Sequence, residues 1–167
     1  MAKGANRRLI VNLQQRGGCK LHHSTLEQHV ASVLAAMCST RLANTLRVTI
    51  KMRVSLSVAD AMGVCNWRDM SKSQAARSKH YTIEVLRDAP LSQQLNTLTH
   101  ELMHVVQMAQ RRLVCRNGAY YWRAVGQTGP ATRVEYSTPW RERPWEIEAT
   151  EGEKEYASTF PKEVING

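Results

Sequence analysis

At 167 residues and 43% hydrophobic composition, the chain is long enough to bury the core of one globular domain without disulfide or metal staples. Its opening MAKGANRRLIVNLQQRGG holds only the short apolar run LIV, which excludes a signal-peptide core or membrane span, and four scattered cysteines (Cys19, Cys38, Cys65, Cys115) exclude C-x-x-C chemistry, so the expectation is a cytoplasmic protein with reduced thiols and no membrane partner. The net charge of +9 arises wholly in residues 1–99, with 14 Lys or Arg against 5 Asp or Glu; such a basic half suits nucleic acid or simple solubility, and no aromatic-interleaved binding motif accompanies it.

Residues 1–18 read as a flexible basic tail and residues 19–167 as a single domain. Ser24-Thr25-Leu26-Glu27 has the spacing of a capping box, and Leu26, Val30, Val33, Leu34 and Met37 then recur at helical intervals. From Leu46 to Val58 every even position is apolar while the odd positions are mostly Arg, Lys, Thr and Ser, which predicts a long strand with one wet, basic face. An irregular stretch around Gly63 leads to a second alternating segment, His80 to Val85. Asp88-Ala89-Pro90 opens a long helix to about Arg112, Asn117-Gly118 is a hairpin turn between LVCR and AYYWR, and Gly126 to Thr132 reads as loop. Pro144 is set to be the first residue of a final helix that ends near Thr159, before Pro161.

The long helix contains THELMHVVQ, residues 99–107. At about 100° per residue, Leu91, Leu95, Leu98, Leu102, Val105, Val106 and Ala109 share one core-facing arc. His100, Glu101 and His104 fall together on the neighbouring arc, with Thr97 and Met108. Two histidines four apart project side by side and suit adjacent positions on a tetrahedral metal, whereas Glu101, a further 100° or so round, suits a base acting on metal-bound water. The competing reading is a solvated polar face.

A zinc site needs a third protein ligand and leaves a position for water. Cys19, His22, His23 and His29 form only a loose set around a pre-helix turn, and His80 opens a strand near the helix. RPWEIEATEGEKEYA, residues 143–157, is the better source. There Trp145, Ala149, Gly152 and Tyr156 make a buried stripe, with Gly152 permitting close approach, and Glu146 and Glu148 flank it. Helical geometry does not choose between those two glutamates, while Glu151, Glu153 and Glu155 read as a solvated face.

HELMH followed by PWEIEA resembles the gluzincin type of zinc metallopeptidase, and is similar to small phage and prokaryotic zincin-like proteins with HExxH and a later ExEA helix. The resemblance spans residues 80–160. It implies an α+β, minimal zincin-like domain: a small mixed sheet, an N-terminal helix, the HExxH helix and a C-terminal helix carrying the third ligand. It also implies Zn2+ held by His100, His104 and Glu146, with Glu101 as general base in hydrolysis of a protein or peptide substrate, in a phage-type protein acting in host cytoplasm. Where relatives carry Asp or Asn four residues after the third ligand, this chain has Thr150, so Glu148 stays open as the ligand. Tyr120, Tyr121, Tyr136 and His80 are the candidates for stabilising an oxyanion, and Trp122, Tyr136 and Trp140 for a wall of the cleft. A SprT-like protease acting on DNA-bound proteins would suit the basic half but typically uses a third histidine, and none follows His104. The reading of a different class is a basic nucleic-acid- or protein-binding module on a zincin-like fold.

Overall fold

The computed structural model describes residues 10–14, 21–56, 61, 63–66 and 79–157. Expectations for Cys19, for the side chains of His22 and His23, and for the strand beyond residue 56 lie outside the described residues. In chain order the elements are β1 (Ile10–Gln14), α1 (Leu21–Met37), α2 (Thr40–Ala43), β2 (Arg47–Arg53), β3 (Gly63–Asn66), β4 (His80–Leu86), α3 (Leu91–Ala109), β5 (Leu113–Arg116), β6 (Ala119–Trp122), β7 (Thr132–Val134), a 3-10 turn (Trp140–Glu142) and α4 (Pro144–Ala157). The class is α+β, as expected. No described helix is long and apolar enough to cross a membrane.

Two sheets divide the strands. The first is mixed, in the order β1-β2-β4-β3, with β1, β2 and β4 parallel and β3 antiparallel at one edge. Its inward residues Val48, Ile50, Tyr81, Ile83 and Val85 form the main core with Leu26, Val30, Val33 and Leu34 of α1 and Leu95, Leu98, Leu102, Val105 and Val106 of α3. Both helices therefore cover one face of the sheet, and the apolar arc of α3 is the arc that the helical period picks out. The second sheet, β5-β6-β7, is antiparallel and builds a smaller core from Leu113, Tyr120, Trp122 and Trp145.

Several expectations are corrected. Ile10–Gln14 is not tail but strand β1, paired in register with β2 from Ile10↔Arg47 to Gln14↔Lys51. β2 stops at Arg53, because its partner β4 turns away after Leu86; the final ladder bond is Arg87 N–H to Arg53 O, and Val54 beyond it is exposed. Its second face keeps Arg47 and Arg53 exposed and Lys51 partly exposed, as the alternation implied, but is interrupted and partly neutralised. Thr49 is buried against His80, and Arg53 donates through Nε (3.0 Å) and a terminal nitrogen (2.7 Å) to one oxygen of the buried Glu84. α1 begins at Leu21, so Ser24 lies inside the helix instead of capping it. Thr132, assigned to loop, starts the short strand β7 on β6.

The hairpin holds as predicted, with Asn117 at φ 51° and Gly118 at φ 75°, both left-handed as a type I′ turn demands. α3 ends three residues earlier than the sequence suggested. Arg111 takes φ 58°, and the N–H groups of Arg111 and Arg112 return to the carbonyls of Met108 and Gln107, which closes the helix as a Schellman motif without glycine.

Close approach fixes how α3 is held on its polar side. A Cβ on Gly63 would collide with Thr97 Cγ2 and sit 3.2 Å from Glu101 Cγ, so edge strand β3 lies directly on the helix. Thr97 is β-branched and cannot swing aside freely. Gly63→Ala is therefore expected to destabilise the domain by about 1–3 kcal/mol through overpacking, read as a lowered urea midpoint; an unchanged midpoint would show that β3 is free to shift.

A polar tie also joins α1 to α3. Thr99 Oγ1 donates to Leu95 O, so at 2.8 Å it accepts from the imidazole N–H of His29. Burial holds the His29 pKa down at about 4 against an ordinary 6.5, with the Leu95 carbonyl partly opposing. The unfolded chain thus takes up this proton first: the stability contribution is complete above pH 6.5 and is lost as pH falls towards 4. Denaturation of wild type and His29→Gln at pH 7.5 and 4.5 should show the wild type losing more on acidification, by at most about 3 kcal/mol. Equal losses would remove His29 from the acid response.

Candidate metal centre

The polar arc of α3 is not a solvated face. Glu101 and His104 are each 8% exposed, as is Glu146 opposite them on α4. α4 lies against α3 at close range, since a Cβ on Gly152 would come within 2.9 Å of Met103 Sδ and Cε. Trp145, Ala149 and Gly152 are buried on the same stripe of α4, so the predicted core face of this helix is realised as far as Gly152, while Tyr156 is only partly buried. Pro144 is its first residue, where the missing N–H costs nothing.

This packing delivers Glu146 Oε2 to 3.3 Å from His100 Nε2 and 3.2 Å from His104 Nε2. The ligand atoms of His100, His104 and Glu146 all lie within 4.8 Å of one another. Ligands bonded to zinc at about 2.0–2.1 Å in a tetrahedron stand roughly 3.3 Å apart, so both imidazole-to-carboxylate separations already match a shared ion. Two neutral imidazoles and one carboxylate are a common catalytic zinc set. The residues present fit the metal.

Further contacts orient each donor. The second oxygen of Glu146 accepts from Trp145 Nε1 at 3.0 Å. His100 Nδ1 faces Glu153 Oε2 at 3.5 Å, and its ring stacks with Trp140 at a centroid distance of 6.1 Å. His104 Nδ1 faces Gln107 Oε1 at 2.9 Å. Both histidines therefore turn Nε2 inward and Nδ1 toward a polar partner, the arrangement that metal-binding histidines ordinarily need.

Charge within the cluster is strongly coupled. Burial raises the Glu101 carboxyl; the charges of His104 and His100 and a hydrogen bond from the Cys65 backbone N–H work against that rise, and the charge of Glu146 adds to it. For His104, burial favours the neutral ring, but the hydrogen bond to Glu146 and the charges of Glu101 and Glu146 win and raise it to about 9. Glu146 is pushed up by burial, yet hydrogen bonds from His100 and His104 bring it down to about 2.

Of the residues singled out in the sequence, His100, Glu101, His104 and Glu146 come together. Glu148 does not join them. It accepts two bonds from Arg112, at 2.7 and 2.6 Å, on the far side of Gln107. His80 is bonded to Thr49 in the first sheet, Tyr120 is buried in the second core against Trp145 and Tyr136, and Tyr121 lies under the guanidinium of Arg116. Trp122 is likewise core. Trp140, half-exposed beside His100, is the cleft-wall candidate that adjoins the centre.

Gln107 and Cys65 had no assigned part, and Glu153, read with Glu151 and Glu155 as a solvated face, is instead partly buried 3.5 Å from His100 Nδ1. Glu153 was legible: seven residues after Glu146 is only about 20° from it around the helix, so both share a face. Cys65 acts through its backbone, which no side-chain pattern reveals.

The ligand assignment predicts that Glu146→Gln lowers zinc affinity by well over about 100-fold, whereas Glu148→Gln loses no more than the roughly 10–100-fold of a ligand-supporting contact and keeps one-to-one binding. Competition titration against a chromophoric chelator measures both; the reverse ranking would make Glu148 the ligand. Comparison with protein-family models, curated proteins and solved structures gave no match to this chain.

Proposed function

We propose that the chain is a zinc-dependent metallopeptidase on a minimal zincin-like domain, hydrolysing peptide bonds of a protein or peptide substrate. The observation that carries this reading is the convergence of His100 Nε2 and His104 Nε2 on Glu146 Oε2, at 3.3 and 3.2 Å, with Glu101 buried alongside. His100, His104 and Glu146 would hold the metal. Zinc bound there supplies a Lewis acid that polarises a carbonyl and brings water towards ionisation at neutral pH.

The protein's own contribution centres on Glu101. Burial raises its pKa, and the Cys65 N–H holds its carboxylate against edge strand β3. In this reading Glu101 accepts the proton of the attacking water and passes it to the leaving amine. Trp140 walls one side of the site and limits solvent at His100. The order of elements is consistent with the same reading: an antiparallel edge strand beside the HExxH helix, and a carboxylate ligand from the last helix.

Nucleic-acid binding through the basic half stays the second reading: in the described part of its predicted basic strand Arg47 is exposed and Lys51 partly exposed, while Thr49 is buried and Arg53 pairs with Glu84. The SprT-like alternative expects a third histidine where this chain brings Glu146.

The mechanism is tested with Glu101→Gln on the zinc-loaded full chain, using fluorescently labelled casein as an unfolded substrate. General-base loss should lower turnover by about 10²–10⁴-fold while one zinc per chain is retained, and chelation should abolish wild-type turnover. Hydrolysis unaffected by Glu101→Gln would refute the mechanism.

A further inference from the structure

We propose that Gln107 is a positioning residue that fixes the tautomer of His104, and that the Arg112–Glu148 pair locks the Gln107 amide in the orientation this requires; the proposal rests on the metal-site reading above. Gln107 is fully buried, less than one turn beyond His104 on α3. Its Nε2 lies 3.0 Å from Trp145 O and 3.3 Å from Glu148 Oε1. Both are acceptors only, so the amide fits one way round: reversed, its oxygen would oppose a carbonyl and a carboxylate. Oε1 is thereby turned to His104 Nδ1, at 2.9 Å, and can accept only from a protonated nitrogen. A neutral imidazole carries one N–H. Holding it on Nδ1 leaves the lone pair on Nε2, the atom that faces Glu146 Oε2.

Arg112 reaches this network because of how α3 ends. Arg111 in the left-handed region turns the chain, and the Arg112 N–H donates to Gln107 O at 2.8 Å. The same residue then sends its guanidinium to both oxygens of Glu148 and over the Trp122 ring, 5.1 Å from the centroid. The second sheet is thus linked to a metal ligand through Arg112, Glu148 and Gln107. A glutamate that is a rival ligand in sequence becomes the anion that keeps Gln107 facing the histidine.

Gln107→Met and Gln107→Leu separate positioning from packing. Methionine keeps the length of glutamine but neither donates to Trp145 O nor accepts from His104 Nδ1; leucine loses the length as well. Zinc titration of the chelator-stripped full chain should show both variants about 10–100-fold weaker than wild type. A methionine variant that binds zinc as tightly as wild type would overturn the proposal, because only a packing role survives that exchange. Should the leucine variant not fold, imidazole 15N–1H correlation of zinc-loaded wild type decides: His104 protonated at Nδ1 and metal-bound through Nε2 supports the assignment, and the opposite tautomer overturns it. Wild type that takes up no zinc would overturn the metal site along with this proposal, whereas zinc uptake unchanged by both substitutions would overturn only the positioning.

Discussion

Close packing of α4 on α3 sets Glu146 against two imidazoles in a site that is almost closed to water, and most of the surrounding structure answers the cost of that burial. Ionisable groups removed from water must be paired or must bind a cation. Here the pairing is dense: Glu146 contacts both histidines and the Trp145 indole, His100 faces Glu153, and His104 faces Gln107. Gly152 makes the approach possible by presenting no side chain to Met103.

The same helix serves two environments at once. One arc of α3 seals the main core beneath the mixed sheet, and the opposite arc carries the candidate ligands between β3 and α4. The rigid core face fixes the rotation of the helix, which in turn fixes where His100, Glu101 and His104 point. From the other side, the smaller aromatic core anchors the start of α4 through Trp145, so the third candidate ligand is positioned by a different hydrophobic cluster from the first two. Gly63 brings the edge strand onto Thr97 and Glu101, giving the proposed base a backbone donor.

Elements governed by a single period were legible in the sequence. The core arc of α3, the stripe of α4 and the alternation of β4 follow from side-chain spacing alone, and the Asn117-Gly118 turn from two residues that accept positive φ. Elements governed by partners were not. β1 has too short an apolar run to signal a strand, and becomes one only by pairing with β2; β2 stops where β4 leaves it, although its own alternation continues. The ligand ambiguity had the same origin. Glu146 and Glu148 flank the apolar stripe on opposite sides, and only the position of Arg112 and Gln107 decides which one faces the histidines. Gln107 falls about 20° from His100 around α3, at the edge of the polar arc, but its part depends on Trp145 and Glu148 contributed from another helix.

The proposed chemistry rests on this arrangement more than on any one motif. A buried His-His-Glu set with a second carboxylate alongside can organise a divalent cation and a proton acceptor in one place, which is the minimum for metal-assisted hydrolysis. The central claim is the identity of the three donors. Crystals of the zinc-loaded full chain, measured on both sides of the zinc absorption edge, test it most directly. The account predicts one anomalous peak bonded to His100 Nε2, His104 Nε2 and a carboxylate oxygen of Glu146; a zinc position that omits Glu146, or no peak at these residues, would contradict it.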